Sequence, residues 1–223
     1  MQAPDIVSKA NTFLNRDGGD FVAALYEATG SWLSVDQAYS NPPVSTEQIL
    51  HPEKYLAGEL PEPPPTLPDF AAGLNSAEPS RRGWNEVSRG TLGEFFIRAY
   101  LEEELNRAQA AAAAAGWGGD AYYLATGPEN TRMLMAQITW DTEADSAEFF
   151  EAYKTFGNIK ANEAGTAPQS VFDGAGWVWT LQDSVIFLGQ SGQSSLLIVA
   201  KDTAIISAVL GILNSFLQEG LTP

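Results

Sequence analysis

A proline-rich stretch is the feature that most constrains how this chain can fold. Residues 58–69 read GELPEPPPTLPD and contain five prolines. Proline lacks a backbone N–H and has a fixed φ, so such a run favours an extended, semi-rigid backbone over a helix or a central strand. We therefore predict a helical segment over residues 1–57, a linker over 58–69 and a second domain over 70–223.

The segment before the linker carries local signals for helices. Asp20 is placed to cap a helix that ends at Gly30, because glycine commonly ends helices. Ser45 and Gln48 have the spacing of a capping box, in which the serine side chain accepts from the backbone and the glutamine reaches back. The helix that Ser45 opens is predicted to end at His51, because a residue that precedes a proline is pushed out of the helical region of φ and ψ.

The pattern after the linker alternates between strand and helix. Strand candidates show apolar residues at every second position, and helix candidates show them at helical spacing. The predicted order is a strand over 84–89, a helix over 91–115, a hairpin of 122–125 with 133–140, a helix from Thr142, strands over 176–182, 184–190 and 195–201, and a helix over 203–217. Runs of strands with separate helices predict an α+β fold: an antiparallel sheet with helices packed on one face.

Charge and composition exclude several classes of function. The chain has 28 acidic and 12 basic residues and a net charge of -16, so most of its surface repels phosphate backbones, and nucleic acid is not an expected partner. It has no cysteine, which excludes disulfides, thiolate catalysis and iron–sulfur clusters. The most apolar stretch, residues 195–217, is interrupted by Lys201 and Asp202, so no membrane-spanning segment is predicted. No signal peptide is visible at Met1.

Metal binding and catalysis lack a complete set of residues. Glu47 and His51 are four residues apart and would share a helix face, but zinc needs three or four ligands and His51 is the only histidine. The simpler interpretation is that Glu47 sits in the first turn of a helix and His51 bonds a nearby carbonyl. A pair of catalytic carboxylates stays open, because 28 acidic residues allow many pairs. We predict no catalytic residue, no metal and no cofactor.

The C-terminal helix has a broad apolar face. Two adjoining stripes cover nearly half of its circumference: Ile205, Val209, Ile212 and Phe216, and Ile206, Leu210, Leu213 and Leu217. Burial against the sheet explains most of this face. The second stripe is also a candidate interface for a protein partner or for a second copy of the chain.

Several strings of the sequence resemble one group of bacterial proteins. The strings are Phe21-Val22-x-Ala24-Leu25-Tyr26, Trp32-x-x-Val35-Asp36-x-Ala38-Tyr39, Pro42-Pro43-x-Ser45 continuing to Tyr55, Thr91-Leu92-Gly93-Glu94-Phe95, Ala114-Ala115-Gly116-Trp117-Gly118-Gly119-Asp120 and Trp140-Asp141-Thr142. They resemble the C-terminal region of uncharacterised exported bacterial proteins similar to gluzincin metallopeptidases. The resemblance spans roughly residues 18–157, and Ser45–Tyr55 is its most specific element.

The resemblance implies a module without the zinc site. In that family the His-Glu-x-x-His helix lies upstream of all the matched strings, and this sequence contains no such motif. No catalytic residue therefore transfers, and the resemblance implies an extracytoplasmic or secreted location. It implies a docking or cleft-lining side made from the Ser45–Tyr55 string, with the candidate residues Ser45, Glu47, Gln48, His51, Glu53 and Tyr55.

Three functional hypotheses follow. The first is a non-catalytic structural or interaction module of a metallopeptidase-like protein. The second is the C-terminal half of a zinc-dependent peptidase whose catalytic motif lies outside this chain, with Glu47 or His51 lining the cleft. The third is a small-ligand binding domain that uses the aromatic sheet face around Trp140, Trp177 and Trp179.

Overall fold

A computed structural model describes residues 5–77 and 82–219. The helices in this part of the chain are α1 (Asp5–Thr12), α2 (Gly18–Thr29), α3 (Leu33–Ser40), α4 (Thr46–Leu50), α5 (Pro52–Ala57), α6 (Phe70–Ala77), α7 (Gly93–Leu101), α8 (Arg107–Ala114), α9 (Glu143–Glu163) and α10 (Thr203–Glu219). The strands are β1 (Asn85–Gly90), β2 (Trp117–Thr126), β3 (Arg132–Trp140), β4 (Gln169–Val171), β5 (Gly176–Thr180), β6 (Val185–Ser191) and β7 (Ser194–Ala200). None of the helices in the described ranges is long and apolar enough to cross a bilayer.

The strands form one antiparallel sheet in the order β1-β2-β3-β7-β6-β5-β4. This arrangement confirms the predicted α+β class. The predicted helix over 91–115 is instead two helices, α7 and α8. The chain breaks between them because Asn106 starts a new helix with a capping box, in which its side chain accepts from the backbone N–H of Gln109. β4 and α6 were not among the predicted elements.

Helices cover both faces of the sheet, where the sequence predicted one. α7, α8 and α9 pack on the face that carries Ala136, Ile138 and Trp140 of β3. α6 and α10 pack on the opposite face, which carries Met133 and Met135 of the same strand. The central strands are therefore apolar on both sides, and a sheet of this kind needs a helical layer on each face.

The helical segment before the linker follows most of its local signals. Ser45 begins α4 and accepts a hydrogen bond from the backbone N–H of Gln48 at 3.2 Å, while the Gln48 side chain accepts from the N–H of Val44. Gly30 ends α2 with a positive φ of 64°. Asp20 caps nothing, because it lies inside a helical stretch that runs continuously from α1 through one π-helical turn (Phe13–Asp17) into α2.

The linker runs along the start of β2. Residues 58–69, all of them described, contain neither helix nor strand. Glu62 donates its backbone N–H to the carbonyl of Gly118 at 2.7 Å, which places the linker beside the sheet. The division of the chain into separate domains at this linker stays a prediction.

Candidate functional site

Most side chains of the most specific sequence string, Ser45–Tyr55, are buried or partly buried. Glu47 and Gln48 are each only 3% exposed. Tyr55 donates its hydroxyl to the carbonyl of Asn41 at 2.7 Å. The docking or cleft role of this string stays a prediction. Glu47 and Gln48 have almost no surface for a partner, whereas Glu53 is exposed and the other candidates, Ser45, His51 and Tyr55, are partly exposed.

Lys54 lies at the centre of a group of carboxylates that we call the lysine clasp: Lys54, Glu47, Glu59 and Asp141. The Lys54 ammonium lies 2.7 Å from a Glu47 oxygen, 2.8 Å from Glu59 and 2.6 Å from Asp141. Asp141 follows β3, so the clasp joins α4 and α5 to the sheet. The three carboxylates lie close enough together to share a cation, and the ammonium of Lys54 is within hydrogen-bond distance of all three.

The pKa values of the clasp follow from burial and charge. Burial raises the pKa of Glu47, and the hydrogen bond with Lys54 offsets part of that rise. Burial acts to lower the pKa of Lys54, but its hydrogen bonds with Asp141, Glu47 and Glu59 outweigh burial and raise it. Lys54 is therefore a cation whose contact with Glu47 favours the charged carboxylate and opposes the effect of burial on it.

His51 makes a second link, to α7. Its Nε2 atom lies 3.0 Å from Oε1 of Glu94, which is 2% exposed, rather than bonding a carbonyl as the sequence suggested. The hydrogen bond with Glu94 raises the pKa of His51, although burial opposes the rise. The Nδ1 atom lies 3.5 Å from Glu53. Both ring nitrogens thus lie near carboxylates, one buried in the protein and one on its surface.

Sequence reasoning missed the partners of these two links. Lys54 belongs to the quoted string, and its place after the only histidine could have drawn attention to it. Glu94 and Asp141 lie 43 and 87 residues away from His51 and Lys54. No local spacing connects residues so far apart.

A large apolar cavity lies on the other side of α7, between that helix, α9 and the sheet. Its volume is about 730 Å³. Its floor is a cross-strand row of partly buried side chains, in which Leu124 of β2 faces Leu134 of β3 and Leu134 faces Val199 of β7. Phe96 and Tyr100 of α7 and Phe149 and Tyr153 of α9 are among the other lining residues, and Glu103, Glu129, Asp183, Arg132 and Lys201 supply its charged lining groups.

The position of α7 above this floor is set by a buried carboxylate. Asp120 of β2 is fully buried and accepts hydrogen bonds from the backbone N–H groups of Leu92 and Gly93, each at 2.8 Å. It also accepts from the indole of Trp117 at 2.9 Å. The two backbone donors hold the start of the helix to the sheet, and the indole of Trp117, which belongs to β2 itself, fixes the orientation of the carboxylate.

Tyr100 and Tyr153 are the hydroxyl-bearing aromatic residues of the cavity. Their hydroxyl oxygens lie 3.1 Å apart. Burial raises the pKa of Tyr100 to about 12 and raises that of Tyr153 well above its usual value. Both therefore remain protonated phenols at neutral pH.

The tryptophans proposed as a ligand surface lie on the same sheet face as the cavity floor. Trp140 is at the far end of β3, whereas Trp179 of β5 continues the cross-strand row of Leu134 and Val199 through Ile186 of β6. Trp140 and Trp179 are at most 1% exposed. Their indole N–H groups donate to Ser195 and Asn158. These two side chains are part of the core, while Trp177 is half-buried and stacks against Trp179.

The candidate interface on α10 is mostly buried within the chain. Ile206 and Leu213 pack in the core between α10 and the sheet, and Leu210 is partly buried beside them. Leu217 is 53% exposed. The interface stays a prediction, and Leu217 is the member of the stripe with the most surface for it.

The family to which the chain belongs is defined over the sheet region. A family described as a domain of unknown function, DUF8575, matches residues 80–210, more than half of the chain. The chain belongs to this family. No curated protein and no solved structure matches the chain.

The DUF8575 match includes the cavity and excludes part of the clasp. Every cavity-lining residue except Ile6 of α1 falls within residues 80–210. Glu47, His51 and Lys54 lie before the matched range. The cavity is thus built from the DUF8575 domain, whereas the lysine clasp and His51 attach the preceding helices to it.

Proposed function

We propose that this DUF8575 chain is a non-catalytic domain that binds a small, mainly apolar molecule between α7, α9 and the sheet. The observation that carries the proposal is the row Leu124, Leu134 and Val199, whose apolar side chains form the floor of a cavity of about 730 Å³. Ligand sites in proteins are typically clefts of roughly 300–1,000 Å³ with mainly hydrophobic linings.

The cavity above Leu134 leaves its lining side chains with fewer packing contacts than a filled core, and a bound ligand would supply those contacts. Protein interiors are close-packed, and a void deprives its lining of dispersion contacts. The neighbouring row at the same sheet face, which includes Ala136 and Leu197, is buried in the core beneath the helices. An apolar molecule above Leu134 would extend that packing to the end of the sheet.

Dye binding tests the proposal. We expect the uncharged dye Nile red to bind the purified chain with a blue-shifted emission, because its emission reports an apolar environment. Leu134→Trp places a larger ring on the cavity floor and is expected to weaken binding at least tenfold, since the ring takes the space of the ligand.

Val87→Trp is the matched control. Val87 is a strand residue of β1 that is 54% exposed, and it does not line the cavity. The Val87→Trp variant adds the same tryptophan side chain to a β-strand. It is expected to leave the dye affinity within twofold of that of the unmodified chain. Equal binding by both variants, or no dye binding by the folded chain, would show that the cavity is not a ligand site.

The resemblance to metallopeptidase-like proteins adds three further proposals. They are an extracytoplasmic location, docking of a protein partner on the exposed part of the Ser45–Tyr55 string, and a peptidase half whose zinc motif lies outside this chain. The inward contacts of Glu47 and His51 favour a structural role for these two side chains over a place in a cleft.

A further inference from the structure

The two cavity tyrosines have more hydrogen-bond donors than acceptors within reach. Each phenol carries one proton, and a single hydrogen bond joins Tyr100 to Tyr153. One of the two hydroxyls donates in that bond, and the proton of the other has no acceptor within the described part of the chain. Tyr153 is fully buried, whereas Tyr100 is only partly buried and lines the cavity. The pair therefore satisfies the buried hydroxyl best when Tyr153 donates to Tyr100, which leaves the Tyr100 proton for an acceptor in the cavity.

The surroundings of the pair favour an uncharged acceptor. Glu103 lies near enough to Tyr100 for its negative charge to act on the phenol. A ligand carboxylate at this position would meet that charge and would also lose its hydration in an apolar cavity. A carbonyl or ether oxygen accepts the same hydrogen bond with neither penalty.

We propose that the ligand of this cavity is an uncharged apolar molecule with a carbonyl or ether oxygen, which accepts the spare hydroxyl proton of the Tyr100–Tyr153 pair. The inference rests on the proposed function, because it describes what the same cavity recognises. The apolar floor supplies affinity and the tyrosine pair supplies selectivity, which is the usual division of roles in small-ligand sites.

Two probes of nearly equal shape separate these contributions. Benzophenone carries a carbonyl where diphenylmethane carries a methylene group, and both can be titrated against bound Nile red. We expect benzophenone to bind about fivefold more tightly, the usual contribution of one neutral hydrogen bond. Diphenylacetate, which carries a carboxylate, is expected to bind at least tenfold more weakly than benzophenone.

Removal of the hydroxyls should abolish the selectivity without abolishing binding. In the double variant Tyr100→Phe with Tyr153→Phe, the affinity ratio of benzophenone to diphenylmethane is expected to fall to about one, because no donor remains. Tyr153→Phe leaves the partly buried Tyr100 hydroxyl without its protein partner, so this single variant is expected to keep the preference for benzophenone. A purely structural role of the tyrosines would change both affinities together.

An infrared measurement on the unmodified chain keeps the inference testable if the double variant does not fold. The carbonyl stretch of bound benzophenone is expected at a lower frequency than in a hydrocarbon solvent, because a hydrogen bond weakens the C=O bond. An unshifted stretch, equal binding of the two probes or tighter binding of diphenylacetate would overturn this inference. Failure of all probes and of Nile red would instead overturn the proposed function.

Discussion

Replacement of Lys54 by methionine tests the lysine clasp, because methionine keeps an unbranched side chain only one atom shorter and removes the charge. Glu47 would then be a buried carboxylate without its cation: its side chain is 4% exposed, whereas those of Glu59 and Asp141 are 47% and 37% exposed. Loss of one partner of a buried pair costs about 3–5 kcal/mol, and exposed pairs contribute ~0–1 kcal/mol each.

Protonation of Glu47 limits the expected loss. Burial already raises the pKa of Glu47, and removal of Lys54 takes away the contacts that lower it. A group with a raised folded-state pKa contributes stability at low pH that is lost as the pH rises through that pKa. We therefore expect Lys54→Met to lower the free energy of unfolding by about 2–4 kcal/mol near pH 7.5, and by about half as much near pH 5.

Urea unfolding followed by circular dichroism at both pH values measures the effect. Lys201→Met is the matched control, because Lys201 is 58% exposed and lies 3.9 Å from the exposed Glu129, and we expect it to cost less than about 0.5 kcal/mol. Adding Glu47→Gln to Lys54→Met should recover part of the loss near pH 7.5. The reasoning fails if Lys54→Met costs less than about 1 kcal/mol at both pH values, or if Glu47→Gln recovers nothing.

Two further predictions concern the other contacts of the described chain. The hydrogen bond with Glu94 raises the pKa of His51, so the contribution of this bond to stability is complete below about pH 6.5 and is lost as the pH rises through the folded-state pKa. His51→Gln should remove this part of the pH dependence of stability in urea unfolding. An unchanged pH profile would exclude a stabilising contact between His51 and Glu94. Leu213→Asp should lower the free energy of unfolding by at least about 3 kcal/mol because Leu213 is buried, whereas Leu217→Asp should cost less than about 1 kcal/mol. If Leu217 is an interface residue, Leu217→Asp should also reduce self-association in analytical ultracentrifugation, while a monomeric unmodified chain would speak against a homo-oligomer.

The elements that follow from local chemistry were predictable from the sequence. Ser45 and Thr142 both begin helices as their side chains suggest, because the side-chain oxygen of each accepts from a backbone N–H three residues later. The predicted strands over 176–182, 184–190 and 195–201 correspond to β5, β6 and β7 because their apolar alternation is regular. Such signals act over a few residues and depend little on the rest of the fold.

The tertiary arrangement and the cavity were not predictable in this way. The sequence pattern of β3 was assigned one apolar face, although Met133 and Met135 provide a second one that α6 and α10 cover. The cavity depends on how far α7 and α9 extend over three strands whose registers bring Leu124, Leu134 and Val199 into one row. No single segment contains that information.

The lysine clasp also has a consequence for the order in which the chain folds during synthesis. Lys54 leaves the ribosome 87 residues before Asp141, and His51 leaves it 43 residues before Glu94. Contacts between residues so distant form late, because the loop between them must close first. Nascent His51 therefore lacks Glu94 until α7 has been synthesised, and Lys54 lacks Asp141 until the end of β3 has been synthesised. Glu47, only seven residues before Lys54, is the partner that Lys54 can reach from the start.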